Sequence, residues 1–363
     1  MKPPATPRLR RMLFPVLAGF IVPASAAGQQ PERYTVPGDD IAIYNLAGQV
    51  RVEPGPGAEV TAEVTRGGAH AGQIKVARGR LDGRETLRFI YPGDRIHYGK
   101  LSDGSTMQLR VTDDGRFGDD DRREGRQQGR RVTIAGQAGG IDAHADLRIA
   151  VPSGKQVAIH LAVGSVAVTN VNGDLSIDAV SAPVTASGTR GELSIDVGSG
   201  AVQVTQARGD LSVDTGSGSV RVSDVRGESV SIDTGSGEIT ASDVRSSDLS
   251  MDTGSGNIMV TGLTAPHVAL ETGSGSVTAD LAGEVWDVSV ETGSGDVTLK
   301  VPPTIGAEVE IETSSGEIET DFPIEVTRHA RDHITGRIGD GRGKIDIETG
   351  SGGIRLVKAG GER

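Results

Sequence analysis

Acidic residues recur at a near-constant spacing in the second half of this 363-residue chain, and each one opens a short glycine-containing motif. The motif is Asp/Glu-Thr-Gly-Ser-Gly, with Val in place of Thr in the first full copy. Successive acids are separated by 18, 19, 19, 19 and 20 positions, at Asp196, Asp214, Asp233, Asp252, Glu271 and Glu291. Variant copies begin at Glu312 and Glu348, and degenerate copies at Asp178 and His160. Carboxylates in such an array could bind cations, contact a cationic surface or act as general acids and bases.

The six regular acids would stand in one file, about 5 Å apart, if the repeats stack on one another. Neighbouring unit charges at that distance repel by about 1 kcal/mol even in water. Hydrogen bonds from the corner amides, splayed side chains or bound calcium would relieve this repulsion. The calcium-roll repeat Gly-Gly-x-Gly-x-Asp is not matched, because the acid here precedes the glycines. Hydrogen-bonded corners are the favoured expectation, a calcium-stabilised repeat protein is an alternative, and no cofactor or metal ligand is predicted.

Other motifs with catalytic residue types lack catalytic spacing. The Gly-Ser-Gly corners do not have the Gly-x-Ser-x-Gly order of a nucleophile elbow. His329 and His333 are four residues apart, but Ala330 occupies the position where a zinc protease carries Glu. Residues 339–344 resemble a phosphate loop only in their glycines, and Ile345 follows where Ser or Thr would be needed, so a turn is predicted. We therefore predict no catalytic residues and no enzyme activity.

A polysaccharide-binding or polysaccharide-degrading β-helix is a further alternative, because such proteins place carboxylates along one face of a solenoid. Their sites need long loops to build a cleft, whereas the repeats between residues 178 and 316 have short connections. A sugar platform also needs an exposed aromatic ring. The only tryptophan, Trp286, has the same parity as Val288, which is predicted to point inward, so we expect it to pack in the core or at a coil edge.

Apolar residues alternate with polar residues on both sides of each acidic motif, as Val230 and Ile232 do before one corner. A period of two indicates strands with one buried face, and glycine allows positive φ at the corner between them. The near-constant repeat favours a parallel solenoid, in which like residues stack, over an antiparallel meander. We therefore predict an all-β, single-stranded parallel β-solenoid of about ten coils of 18–20 residues. The outward positions are polar, as this fold requires: Gln203, Arg221, Thr240, Thr278 and Thr298.

Three features carry a resemblance to a known family. They are residues 45–52 (Asn-Leu-Ala-Gly-Gln-Val-Arg-Val), residues 147–154 (Leu-Arg-Ile-Ala-Val-Pro-Ser-Gly) and the Thr-Gly-Ser-Gly corners. Through them the chain resembles the bacterial adhesin-like family of unknown function 4097 (DUF4097) and, more distantly, the head-GIN adhesins, over about residues 34–356. The resemblance implies an exported, right-handed parallel β-helix with an adhesin-like role and no known catalytic residues.

The N-terminal sequence is typical of a secretory signal peptide. Basic residues at positions 2, 8, 10 and 11 precede the apolar run Met12–Val22, and Ala24-Ser25-Ala26 provides a cleavage site. The run is too short to span a bilayer, and no later segment is predicted to do so. The chain has no cysteine and a net charge of −12, which disfavours nucleic acid and anionic lipid as partners. From the signal-peptide pattern we predict export to the periplasm, to the cell surface or to the extracellular space.

The chain divides into a signal peptide (1–26), an N-terminal β region (34–150), the repeat solenoid (151–357) and a polar tail (358–363). Residues 66–140 depart from the repeat and carry mixed charges, so we expect an exposed insertion, most simply a solvated flexible loop. A second insertion, residues 322–343, explains the 36-residue gap between the last two motifs. The predicted function is an exported, non-enzymatic, adhesin-like structural β-solenoid of the bacterial cell envelope. Its partner would be an envelope protein or a surface polymer.

Overall fold

The computed structural model of the protein describes residues 31–118, 129–283 and 285–359. Within the last range, only the backbone of His329 is described. The predicted signal peptide, most of the mixed-charge run and the end of the polar tail lie outside the described residues. In the described part of the chain no helix is long and apolar enough to cross a membrane.

The described residues form strands joined by short turns, with one 3-10 turn at Ala71–Gln73. The N-terminal strands are β1 (Glu32–Val36), β2 (Asp40–Pro54), β3 (Val60–Gly67), β4 (Lys75–Leu81), β5 (Arg84–Ile90), β6 (Arg95–His97), β7 (Thr106–Val111), β8 (Arg130–Ala135), β9 (Ile141–Asp142) and β10 (His144–Val151). The repeat region begins with β11 (Lys155–Thr169), β12 (Gly173–Ser181), β13 (Val184–Ser187), β14 (Leu193–Ser199), β15 (Val202–Thr205), β16 (Leu211–Ser217), β17 (Val220–Arg226) and β18 (Ser229–Thr234). It continues with β19 (Ile239–Arg245), β20 (Asp248–Thr253), β21 (Ile258–Leu263), β22 (His267–Thr272), β23 (Val277–Leu281), β24 (Asp287–Thr292) and β25 (Val297–Val301). The C-terminal strands are β26 (Ala307–Ser315), β27 (Ile318–Thr320), β28 (Glu325–His329), β29 (His333–Ile338), β30 (Gly343–Ser351) and β31 (Ile354–Lys358).

Each repeat strand pairs in parallel with the second strand after it, not with the next one. β12 pairs with β14, β14 with β16 and β16 with β18, which defines ladder A. β13 pairs with β15, β15 with β17 and β17 with β19, which defines ladder B. The pairing is in register, so that Ile177 faces Ile195 and Ile195 faces Val213. The expectation that like residues stack is confirmed in one large, mostly parallel sheet, and an antiparallel meander is ruled out for these strands.

Inward-pointing aliphatic side chains from both ladders form the core. Along ladder A, Ile232, Met251, Leu270 and Val290 occupy the same position of successive strands and are all nearly inaccessible to solvent. Fully burying a side chain of this size contributes roughly 1.5–3 kcal/mol. The positions predicted to face outward on ladder B are exposed or half-buried, as expected: Gln203, Arg221, Thr240, Thr278 and Thr298.

The corner between the two ladders depends on a column of glycines that approach one another closely. Gly275 has a φ of +153°, and a Cβ atom built on it would lie 2.0 Å from the carbonyl oxygen of Gly256 in the preceding corner. The Thr272 hydroxyl donates a hydrogen bond to that same carbonyl, at 2.9 Å. The glycine-glycine contact leaves no room for a side chain, and the threonine provides the carbonyl with a donor.

The insertion that departs from the repeat is folded. It includes a four-stranded sheet in the order β7-β8-β6-β9 and buries Phe89, Tyr91, Tyr98 and Phe117. The Tyr91 hydroxyl donates a hydrogen bond to Asn45 Oδ1 of β2 at 2.8 Å, which ties the insertion to that strand. The interpretation of this segment as a solvated loop is therefore wrong for its described residues, because four of the few aromatic side chains in the chain are buried there and join the common hydrophobic core.

The C-terminal strands do not stack in the order of the sequence. β30 pairs in parallel with both β24 and β26, so Glu348 lies between Glu291 and Glu312. The assumption that each coil sits on the preceding one is wrong at this end. β29 pairs antiparallel with β26, and β28 pairs antiparallel with β29. This hairpin, the predicted second insertion, covers the last ladder A strand, whose edge would otherwise present unpaired backbone groups.

The N-terminal end of the ladders is also covered by antiparallel strands. β11 pairs in parallel with β2, and β2 in turn pairs in parallel with β5 and β10. β4 then pairs antiparallel with β5, and β3 antiparallel with β10. Antiparallel strands thus cover the N-terminal end of the ladders and the last strand of ladder A, where open edges could add further chains.

Replacing Gly275 with Ala should destabilise the fold strongly, because the new methyl group would meet the Gly256 carbonyl. We expect the free energy of unfolding in urea to fall by about 3 kcal/mol, from combined overpacking and backbone strain. Gly72 is the matched control, since a Cβ atom there has no neighbour within 4 Å. Gly72→Ala should change stability by less than about 0.5 kcal/mol. Equal, small effects of the two substitutions would contradict the close approach of the corners.

Candidate functional site

The acidic residues of the repeat lie in one file along ladder A. The register places Asp196 opposite Asp214, Asp214 opposite Asp233, and so on through the six predicted positions. We call this file the acidic ladder; it also includes Asp178 before the six and Glu348 and Glu312 after them. Each carboxylate belongs to a separate strand, and strands in a sheet are about 4.8 Å apart.

The acidic ladder lies on the solvent-facing side of the sheet. Asp233, Glu271 and Glu291 are exposed, and Asp252 is half-buried. A parallel file of small residues runs beside it, two positions earlier in each strand: Ser194, Ser212, Ser231, Ser250, Ala269 and Ser289. Since these side chains are short, the carboxylates are the longest groups of their strands on this part of the face. The arrangement is a regular line of negative charge on the solvent-facing side of the sheet.

The carboxylates of the acidic ladder repel one another in the folded protein. The pKa of Asp252 is raised above its ordinary value, first by partial burial and then by the negative charge of Asp233. A file of like charges does not stabilise the folded protein. Their spacing follows from the stacking of the strands that carry them.

Threonine, rather than the acid, provides the side-chain hydrogen bond at the corner. Thr234, Thr253 and Thr292 each donate to a glycine carbonyl of the preceding corner, at 3.3, 3.1 and 2.9 Å. In the described part of the chain no backbone amide donates to Asp233 or Asp252. The expected hydrogen bonds from corner amides to these acids are therefore not formed, because the corner amides donate to backbone carbonyls of neighbouring corners: the Gly235 amide to Thr215 at 2.9 Å and the Gly237 amide to Ser255 at 3.1 Å.

The described residues contain no group of three or more His, Asp or Glu side chains arranged to hold a metal ion. The acidic ladder is linear, with one carboxylate per strand. A cation such as calcium takes six to eight oxygen ligands gathered around one point. The alternative of a calcium-stabilised repeat protein finds no such site among these residues.

One end of the acidic ladder is closed by aromatic residues. His160 Nδ1 lies 3.2 Å from Asp178 Oδ2, and the His160 ring stacks on Tyr44 at a centroid distance of 4.2 Å. Phe117 of the insertion packs edge-on against the same two rings. The folded insertion thus covers the position where the file of carboxylates begins, and the open part of the ladder runs from there towards β26.

A file of arginines, which the sequence analysis missed, runs along the second turn of the repeat. Arg190, Arg208, Arg226 and Arg245 are paired in register from strand to strand. The Arg208 guanidinium donates to both carboxylate oxygens of Asp224, at 3.0 and 2.8 Å. This contact is the main reason that the pKa of Asp224 is held below its ordinary value, with further help from the neighbouring arginines. A recurring Arg-Gly-acid triplet, at 190–192, 208–210 and 226–228, was the signal in the sequence.

The remaining predicted motifs have structural roles. His333 Nδ1 lies 3.3 Å from Glu312 Oε2 of the neighbouring strand β26, and its Nε2 lies 2.7 Å from Thr335 Oγ1 of its own strand β29. Residues 339–342 form the turn between β29 and β30, as predicted.

Trp286 is not in the core. Its side chain is 65% exposed, and the expectation of core or edge packing is wrong. Parity was misleading because Trp286 lies in the turn before β24, which starts at Asp287, and the alternation of the strand does not extend into this turn.

Comparisons with known proteins place these features in context. A family model described as Toastrack DUF4097 matches residues 100–357, which is more than half of the chain. A candidate cell adhesion protein from Clostridium sporogenes is similar in structure at 10% identity and a TM-score of 0.22, covering 91% of this chain and 100% of that chain. A candidate adhesin from Parabacteroides merdae is similar at 10% identity and a TM-score of 0.35, covering 91% and 97%. No curated protein matches the chain. The family match confirms the resemblance inferred from the sequence.

Asp233 lies beside another carboxylate, whereas Asp224 lies beside an arginine, so neutralising these two acids should change stability in opposite directions. Asp233→Asn removes a charge that raises the pKa of Asp252, so the free energy of unfolding at pH 7 and low salt should rise, by less than about 1 kcal/mol because water screens the pair. Asp224→Asn removes the carboxylate that pairs with Arg208, so it should lower the free energy of unfolding.

Both changes in the free energy of unfolding should depend on pH, in a direction that follows from the pKa shift of the acid concerned. A raised pKa in the folded state costs stability only above the unfolded value, so the gain from Asp233→Asn should vanish as the pH falls below about 4. The loss from Asp224→Asn should also vanish in acid, because its lowered pKa contributes stability only at higher pH. Urea unfolding between about pH 3 and pH 7 checks both effects. A destabilising Asp233→Asn at pH 7 would contradict repulsion within the acidic ladder.

Proposed function

Because the chain belongs to the Toastrack DUF4097 family, we propose that it is an exported, non-enzymatic, adhesin-like structural protein of the bacterial cell envelope. The proposal rests on one observation above all, the acidic ladder: a straight, periodic and solvent-facing file of carboxylates. Such a surface fits a partner that is extended and positively charged, either an envelope protein or a surface polymer.

The scaffold that presents this surface is proposed to be a right-handed parallel β-solenoid of about ten coils of 18–20 residues. From Asp178 to Glu291 the registered partners along ladder A are 18 to 20 residues apart, for example Asp196 to Asp214 and Glu271 to Glu291, which supports one coil per repeat. The handedness follows from the family resemblance. In a solenoid each coil contacts mainly its neighbours, so the length of the binding surface scales with the number of repeats.

A binding role is favoured over catalysis by the turns around ladder A. The turns between β17 and β18 and between β19 and β20 contain only residues 227–228 and 246–247. No long loop rises from this part of the sheet to form a cleft over the carboxylates. The many near-identical copies of the acid also fit repeated weak contacts better than a single reactive centre.

Export is proposed from the first 26 residues, which have the basic, apolar and small-residue order of a signal peptide. The protein recovered from the periplasm or medium of an expressing bacterium should begin at or near Ala27. N-terminal sequencing or intact mass measurement checks this. A recovered protein that retains Met1 to Ala26, or one found only in the cytoplasm, would contradict export.

Attachment of protein-coated beads tests the adhesive role. Beads carrying residues 27–363 should attach to a poly-L-lysine surface in low salt and detach in about 1 M salt, where charges are screened beyond roughly 3 Å. A variant with Asp214→Asn, Asp233→Asn, Asp252→Asn, Glu271→Gln and Glu291→Gln should attach at least about tenfold less, since the favourable file is gone.

The control variant has the same net charge but keeps the acidic ladder. It carries neutral replacements of five exposed acids elsewhere: Glu59→Gln, Asp94→Asn, Asp103→Asn, Asp113→Asn and Glu238→Gln. It should attach nearly as well as the unmodified protein. Equal loss of attachment in both variants would mean that net charge alone, and not the ladder, is responsible. Release of soluble fragments when the protein is incubated with acidic polysaccharides would overturn the non-enzymatic assignment.

A further inference from the structure

The single tryptophan of the chain is held in a fixed position outside the core. The Trp286 backbone amide donates to the Pro266 carbonyl at 3.0 Å, and its carbonyl accepts from the Lys344 amide at 2.8 Å. The backbone is therefore fixed from both neighbouring strands while the indole remains 65% exposed. Tryptophan is enriched among the residues that contribute most of the binding energy at interfaces.

The turns that surround Trp286 are longer than those in the middle of the repeat. Two-residue turns precede β18 and β20, whereas residues 282–286 precede β24, residues 302–306 precede β26 and residues 339–342 precede β30. These three turns lie side by side, because β30 is inserted between β24 and β26. Together they line a pocket of about 710 Å³, within the size range of small-molecule sites.

The pocket combines an apolar wall with a charged pair. Val285, Pro302 and Ile305 line it beside the indole, and Asp340 and Arg342 contribute an ion pair with a distance of 2.7 Å between Asp340 Oδ2 and Arg342 Nε. The two charged side chains are half or more exposed, so they remain able to contact a ligand.

A glycine creates the space for this carboxylate. A Cβ atom on Gly306 would lie 1.9 Å from Asp340 Oδ1, so the carboxylate can take its position only because residue 306 has no side chain. A carboxylate accepts hydrogen bonds from adjacent hydroxyl groups, and a guanidinium donates several in a fixed plane.

We propose that Trp286, Asp340 and Arg342 form a subsite for a neutral sugar ring of a surface polysaccharide. The indole offers an apolar face for the C–H face of the ring, and the ion pair offers acceptors and donors for its hydroxyl groups. The net charge of −12 makes a polyanionic polysaccharide the less favourable partner. The inference deepens the adhesive function proposed above, on which it rests for its biological setting, and it uses a different surface from the acidic ladder.

Fluorescence offers a direct test because Trp286 is the only tryptophan. The unmodified protein is titrated separately with cellohexaose, chitohexaose, mannohexaose and maltohexaose. We expect a saturable change of tryptophan emission with at least one of these probes. Calorimetry with that probe should show binding weakened about tenfold or more by Trp286→Ala and by Asp340→Ala. Gly306→Ala should weaken it as well, by displacing Asp340.

Matched controls separate binding from folding. Trp286→Ala removes an exposed side chain and should leave the urea unfolding midpoint unchanged. Met259→Ala removes another exposed apolar side chain, on ladder B, and should leave sugar binding unchanged. The subsite is overturned if none of the four probes changes the emission, if Trp286→Ala binds as well as the unmodified protein, or if a proline-rich peptide saturates the site while the sugars do not.

The bead experiment distinguishes this inference from the adhesive function. Beads carrying Trp286→Ala should still attach to poly-L-lysine, because the acidic ladder is intact. If they attach and no sugar binds, the subsite is wrong and the acidic ladder stands. If the sugar binds and unmodified beads do not attach to poly-L-lysine, the subsite stands and the acidic ladder loses its proposed role.

Discussion

The contact between consecutive glycine corners is the constraint on which the rest of the structure depends. Parallel strands pair in register at a spacing of about 4.8 Å. Each residue therefore has the equivalent residue of the next strand as its neighbour. At the corner the Gly256 carbonyl points at Gly275 and leaves no space for a side chain. Aliphatic residues stack well under this rule, and the Val, Ile and Leu columns of the two ladders form a continuous narrow core.

The same rule imposes a cost on polar residues. Carboxylates stacked from strand to strand repel one another: the pKa of Asp252 is raised first by its partial burial and then by the negative charge of Asp233. Arginines stacked along the second turn would do likewise, but Asp224 lies between them and pairs with Arg208. The charge of the arginine file is thus partly offset from within the chain, whereas Asp233, Glu271 and Glu291 of the acidic ladder face the solvent. That difference favours the acidic ladder as the surface that contacts a partner.

Most features of the repeat region could be predicted from the sequence, because the repeat spacing identifies the equivalent residues that stack on one another. The acidic file, the buried positions and the glycine corners follow from a period of 18–20 residues and an alternation of two. The order of β24, β30 and β26 could not be predicted, since nothing local to Glu348 distinguishes insertion from addition at the end. The burial of the insertion depends on contacts between residues far apart in the sequence, such as Phe117 with Tyr44 and His160. Trp286 was misplaced because the alternation of a strand was extended into a turn.

Distances along the acidic ladder test the registered stacking most directly. The chain has no cysteine, so spin labels can be attached to pairs of cysteines introduced at chosen positions. From a label at position 214, positions 291, 348 and 312 should lie at about 19, 24 and 29 Å, in steps of one strand spacing. The account predicts that position 312 is farther away than position 348, the reverse of a simple stack in sequence order. Distances that do not increase in even steps, or that place position 312 nearer, would contradict it.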